Sequence, residues 1–142
     1  MAFQVSVFAE NKPGKIERIT GVLEDKRINI RAITISDSGD YGIVKLLLDQ
    51  PEAGCEVLKE AGIAASLKEI VGVRMKDTPG GLHKIAAALA DSGINVEDAY
   101  GFIVKSQEEA VFVFQVENPM KAEKMLAGKG FTMLGDTELY LL

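Results

Sequence analysis

The 142-residue sequence has one cysteine, Cys55, one histidine, His83, and no tryptophan. One thiol cannot close an intrachain disulfide, and it fits a reducing compartment. Cys55 falls in a predicted helix beside Ala53, Val57 and Leu58 with no histidine nearby, so it reads as a small apolar residue and not a nucleophile. His83 has no cysteine or acidic cluster at ligand spacing, which leaves no zinc site, and it reads as an exposed residue in a helix's first turn. No run approaches the ~20 apolar residues of a membrane span. The start, Met1-Ala2-Phe3-Gln4-Val5, lacks the basic and apolar regions of a signal peptide, so a cytoplasmic protein is expected. Basic charge is also scarce. Sixteen Lys and Arg face 21 Asp and Glu, the net charge is −5 and the pI is near 4.9. Sequence-independent nucleic-acid binding needs a basic field, and so does docking on an anionic membrane, so both are excluded as partners. Phosphate-binding glycine motifs are missing from every strand-to-helix turn. No catalytic residue, metal or cofactor is predicted.

What is present is a globular profile, 47% hydrophobic and 26% charged. The length suits one ordinary domain or two of about 70 residues. A unit that small is marginal alone, so a shared interface or an oligomer, simplest as a homodimer, is expected.

The chain repeats itself. Phe3, Val5, Val7 and Ala9 alternate along a strand that ends at Asn11-Lys12-Pro13-Gly14. Ile16, Ile19, Val22 and Leu23 then follow at helical spacing, to an end near Asp25-Lys26. Strands are predicted over 28–35 and 42–48, around turn chemistry at Ser36 to Asp40. Pro51 opens a second helix over 52–60, Gly62 caps it, and Ala65 to Lys76 is strand-like. Asp77-Thr78-Pro79-Gly80 then restarts the pattern 66 positions after the first turn. Leu82, Ile85 and Leu89 repeat Ile16, Ile19 and Leu23, and Ile94-Asn95-Val96 repeats Ile28-Asn29-Ile30. After a hairpin loop two residues longer, Glu117-Asn118-Pro119 repeats Asp49-Gln50-Pro51, and Gly130-Phe131 repeats Gly62-Ile63. So many signals in one order mark an internal duplication.

Each unit reads strand-helix-strand-strand-helix-strand. That is the ferredoxin-like, split βαβ plan: an α+β fold with one antiparallel sheet and two helices on one face. The expected units are 1–70 and 71–142. They have no linker, because Leu142 maps back to Arg74 while Phe3 maps forward to Glu69. One strand over 65–76, kinked at Gly72, is therefore expected to serve both.

The two turns are the candidate sites. Backbone N–H groups at a helix start lack internal partners, and the helix dipole adds positive charge, so a carboxylate can dock there. Gly14 and Gly80 let a ligand approach the backbone. Pro13 and Pro79 fit the first helical turn, and Thr78 suits an N-cap. Asn11, Asp77, Asn29 and Asn95 are candidate acceptors for an ammonium, on the expectation that the start of the second strand faces the turn after the first. Lys12 favours a carboxylate at the first turn, and Asp77 repels one at the second, so unequal sites are expected. Phe112 and Phe114 read as core packing, and Glu108-Glu109 as a solvated loop.

A ferredoxin-like unit with Asn/Asp-x-Pro-Gly after its first strand and an Ile-Asn-apolar start to its second resembles the ACT domain. Both halves carry the pattern, so nearly the whole chain resembles a tandem ACT pair. The resemblance implies binding of an amino acid or similar effector at interfaces between units, through Asn11, Pro13, Gly14 and Asn29 and through Asp77, Pro79, Gly80 and Asn95. It implies a regulatory, non-catalytic role, with an enzyme of amino-acid metabolism as a possible target. The alternative is a module that docks on such an enzyme without an effector. An acylphosphatase-like enzyme ranks last, since it would want an arginine in the anion-binding turn.

Overall fold

A computed structural model describes all 142 residues. The element order is β1 (Ala2–Glu10), α1 (Lys15–Asp25), β2 (Ile30–Ser38), β3 (Tyr41–Leu48), α2 (Pro51–Glu60), β4 (Ala64–Lys76), α3 (Gly81–Asp91), β5 (Asp98–Lys105), β6 (Glu109–Gln115), α4 (Pro119–Gly128), β7 (Thr132–Leu134) and α5 (Asp136–Tyr140). The chain forms two compact units, Phe3–Lys68 and Glu69–Tyr140, the two terminal residues at each end aside. The division falls within β4, which runs as one strand of 13 residues.

In the first unit the strand order is β2-β3-β1-β4. β3 pairs antiparallel with both β1 and β2. Alternation decides the faces: Val5, Val7, Val44 and Leu46 turn to one side, where Ile19 and Leu23 of α1 and Cys55 and Leu58 of α2 cover them. Leu23, Leu46 and Leu58 are fully buried, each contributing about 1.5–3 kcal/mol. Cys55 is a buried free thiol in this core, as its apolar neighbours predicted.

The second unit repeats the arrangement. β4 pairs antiparallel with β6 and β7, and β6 with β5. Its core joins Val71, Val73 and Phe114 to Ile85 and Leu89 of α3 and Ala122 and Leu126 of α4. Phe112 and Phe114 stack on this helix side, 5.4 Å between centroids, which makes them packing residues. His83 is exposed, as expected. Leu82 departs from the helical pattern and is exposed, whereas Ile85 and Leu89 are buried.

Two expectations about the strands need correction. The Gly72 kink is absent: pairing with β6 runs unbroken through Val71, Gly72 and Val73. Glycine lets Leu139 pack closely there, since both Leu139 methyls lie 3.2 Å from where a Cβ would stand. The final strand is also shorter than the repeat implies. β7 ends at Leu134, and α5 follows, with the Asp136 carboxylate accepting the Thr137 N–H at 2.7 Å. Leu139 is thereby buried against the sheet.

Helix ends follow the sequence closely. α1 stops at Asp25, and Pro51 and Pro119 open α2 and α4. Asn118 caps α4 by accepting the Lys121 N–H at 3.1 Å. After α2, Gly62 takes φ +79°, its N–H reaches the Lys59 carbonyl, and Ile63 reaches Leu58, which is a Schellman closure.

Candidate functional site

Both Pro-Gly turns are built alike. Gly14 has φ 92° and ψ −9°, and Gly80 has φ 87° and ψ −7°. These angles belong to the third position of a type II turn, with proline at the second. In the second unit the Gly81 N–H closes that turn on the Thr78 carbonyl at 3.0 Å. Proline therefore precedes the helix and does not open it, which corrects the placement of Pro13 and Pro79 in the first helical turn. Gly14 and Gly80 are themselves the N-caps, and neither helix has a side-chain cap. Thr78 is two residues too early to cap. The first carbonyls engaged are those of Gly14 (from the Arg18 N–H, 2.9 Å) and Gly80 (from Lys84, 3.2 Å). The N–H groups of Lys15, Ile16 and Glu17 thus precede the first helical bond.

Asn11 and Asp77 do something other than wait for an ammonium. The Asn11 amide donates to Asp37 Oδ1 at 2.8 Å and to the Gly39 carbonyl at 3.1 Å, and its Oδ1 accepts from Lys15 Nζ at 2.9 Å. Asp77 Oδ2 accepts the Gln107 backbone N–H at 2.6 Å. The backbone N–H groups of the two residues also reach the hairpins, at Asp40 and Glu108 respectively. Each side chain ties its turn to the β-hairpin tip of its own unit. Both Asn11 amide donors are thus used within its own unit, and its oxygen already accepts one bond.

Asn29 and Asn95 are not brought to the turns of their own units. Asn11 meets the far tip of β2, at Asp37, while Asn29 lies just before the other end, at Ile30. A strand of this length separates its ends by roughly 25 Å. Asn29 instead pairs with Asp49, its N–H donating to Asp49 Oδ1 at 2.9 Å, and borders an open depression with Thr20, Glu24 and Arg27 at the C-terminal end of α1. Asn95 borders a smaller one with Glu97, Glu117, Asn118 and Lys121. The strand that starts after a helix starts at the end opposite the turn before that helix, which is why the expected juxtaposition fails.

What the first turn does have is a cleft of about 420 Å³, within the usual range for small-molecule sites. Lys12, Pro13 and Gly14 form its turn side, and Lys15 and Arg18 of α1 add two more cations. Glu10 is the carboxylate in the wall, 3.2 Å from Lys12. Arg18 is held by the Ala61 carbonyl at 2.5 Å, at the end of α2. Phe8 and Tyr41 complete one side. Lys15, Arg18, Phe8 and Tyr41 were not singled out from sequence. Arg18 stands one helical turn after Gly14 and was legible as a cation over the turn. Phe8 interrupts the polar residues Ser6 and Glu10 on its side of β1.

A family description of an ACT domain pair matches residues 1–142. A crystal structure of a Bacteroides thetaiotaomicron protein superposes with a TM-score of 0.93 at 30% identity, covering 99% of this chain and 96% of that one. The regulatory subunit of aspartate kinase from Thermus thermophilus, in its ligand free form, has the same fold, with a TM-score of 0.66 at 18% identity over 90% of this chain and 92% of that one. Its counterpart from Thermus flavus gives 0.62 at 18% over 89% and 90%. No curated protein matches the sequence.

Proposed function

This chain belongs to the ACT domain family, as a domain pair across residues 1–142, and from that we propose that it is a regulatory protein whose first unit binds an amino acid. The observation that carries the reading is the cleft at Lys12-Pro13-Gly14, where three cations and one carboxylate surround an uncapped helix start. An amino acid is a zwitterion. Its carboxylate fits the open N–H groups of α1 with Lys12 and Lys15 beside them. Its ammonium fits Glu10.

Asn29 enters this reading differently from the first expectation. It stands too far from Gly14 to share a small ligand within one unit. Together they would serve one molecule only if the second-strand asparagine came from another copy of the chain, which favours a homodimer as the working form. The effector then acts by binding one arrangement of subunits more tightly than another, since only differential affinity shifts an equilibrium. The two Thermus proteins are regulatory subunits of an amino-acid kinase, and by that likeness the target proposed here is an enzyme of amino-acid metabolism.

A thermal-shift panel of the twenty amino acids tests the reading. Ligand at about 100 times its Kd adds about 2.7 kcal/mol of stability. A rise in Tm with one amino acid or a small set is expected. Failure of all twenty at millimolar concentration would overturn it.

A further inference from the structure

The aromatic wall of the first-unit cleft plays no part in holding a zwitterion. Phe8 and Tyr41 lie diagonally across β1 and β3, since Phe8 pairs with Ile43 and Tyr41 with Glu10. Their rings stack with centroids 5.0 Å apart and planes 11° from parallel. Yet Phe8 is 54% exposed and Tyr41 46%. The second unit has the same register, Arg74 with Val111 and Lys76 with Glu109. The repeat puts Arg74 at the position of Phe8 and Glu109 at that of Tyr41. There the two side chains form an ion pair. Like sheet positions thus present a flat apolar surface beside one turn and a self-neutralised charge pair beside the other.

Resting on the amino-acid reading above, we propose that the first-unit cleft takes an amino acid with an aromatic side chain, its ring packed on the Phe8–Tyr41 pair, and that one molecule binds per chain. Charge and shape agree. Lys12, Lys15, Arg18 and Glu10 hold the polar end, and the ring pair offers a third aromatic an offset-stacked or edge-to-face partner. In the second unit Arg74 and Glu109 satisfy each other, and Asp77 sets a negative charge at the turn, so neither the ring nor the carboxylate of such a ligand has a partner. A cross-strand aromatic pair that served the sheet alone would confer no ligand selectivity.

Calorimetry on the full chain with L-phenylalanine, L-tryptophan and L-leucine separates these cases. The chain has no tryptophan, so the emission of bound L-tryptophan reports binding independently. One site per chain is expected, with the aromatic amino acids binding about three- to tenfold more tightly than leucine, the worth of one aromatic contact. Phe8→Leu and Tyr41→Leu should each weaken phenylalanine more than leucine and so remove that preference, and Tyr41→Phe should keep it. Should Phe8→Leu unfold, the two Tyr41 variants still decide. Leucine binding as tightly as phenylalanine, two equal sites per chain, or a preference unmoved by Tyr41→Leu would each overturn the proposal and leave the amino-acid reading standing. Binding of none of the twenty would end both.

Discussion

Asp77 accepts the backbone N–H of Gln107 at 2.6 Å, thirty residues along the chain. Gln107 sits at φ 62°, a backbone angle that side-chain-bearing residues seldom adopt. The carboxylate therefore holds a strained hairpin tip against the Pro-Gly turn. Asn11 does the same for the first hairpin with opposite polarity, donating to Asp37 and Gly39. The duplicated acidic or amide residue before each turn thus has a structural role within its own unit.

Asp77→Ala should cost about 1 kcal/mol, the usual worth of such a bond. Gln107→Gly should recover part of that loss in the double variant, because glycine tolerates the angle without the clip. Urea denaturation of the two single variants and the double measures it. Equal stability of Asp77→Ala and wild type would show that the clip is incidental.

Arg27 occupies the position after α1 at which α2, α3 and α4 are followed by Gly62, Gly93 and Gly130. The closure is the same: the Arg27 N–H reaches the Glu24 carbonyl and Ile28 reaches Leu23. Arginine pays for φ 56° with a Cβ clash of roughly 1–2 kcal/mol. Arg27→Gly should therefore raise stability by about 0.5–1 kcal/mol after the extra entropy lost by glycine. The shift in denaturation midpoint at constant slope reports it.

Two helical glycines should respond in opposite ways to alanine. Gly21 has open space where a Cβ would go, so Gly21→Ala should stabilise by about 0.5–1 kcal/mol through helix propensity. At Gly54 the new Cβ would stand 2.3 Å from Leu48 Cδ1, inside a packed core. Gly54→Ala should lose about 1–3 kcal/mol from overpacking. A change of the same sign in both would contradict the packing described around α2.

Tyr100 should make the fold sensitive to alkali. Burial, and then the charge of Asp98, push its phenol well above the ordinary value near 10. In the unfolded chain it ionises near pH 10, and in the folded chain it stays protonated. Its contribution is thus complete below pH 10 and lost as pH rises, by up to about 1.4 kcal/mol per pH unit. Stability measured from pH 8 to 11 should fall less steeply for Tyr100→Phe. Spectrophotometric titration of that variant should also lack the last tyrosine to ionise.

Most of the fold was legible because its signals are local. Val5 and Val7 alternate, Ile19 and Leu23 recur at helical spacing, and Pro51, Gly62, Pro119 and Gly130 punctuate the helices. The proline-glycine turns were also legible as turns, though not their type. Pro13 and Pro79 looked like helix openers, and only the angles of Gly14 and Gly80 put them ahead of the N-cap, two residues before the first helical position. Gly72 misled because a glycine inside a strand suggests a bulge, whereas this one makes room for Leu139, 67 residues away.

The sequence by itself determined the α+β class, the duplication and the two turns, since periodicity and punctuation act over a few residues. Only the tertiary structure decided which side chains surround a turn. It brought Arg18, Phe8 and Tyr41 to the first cleft, engaged Asn11 and Asp77 with hairpins, and left Asn29 at the opposite end of its strand. The physical reason is direction. A strand, a helix and the next strand reverse the chain twice, so the start of β2 lies a full strand length from the end of β1. Spacing along a sequence carries no sign for that reversal.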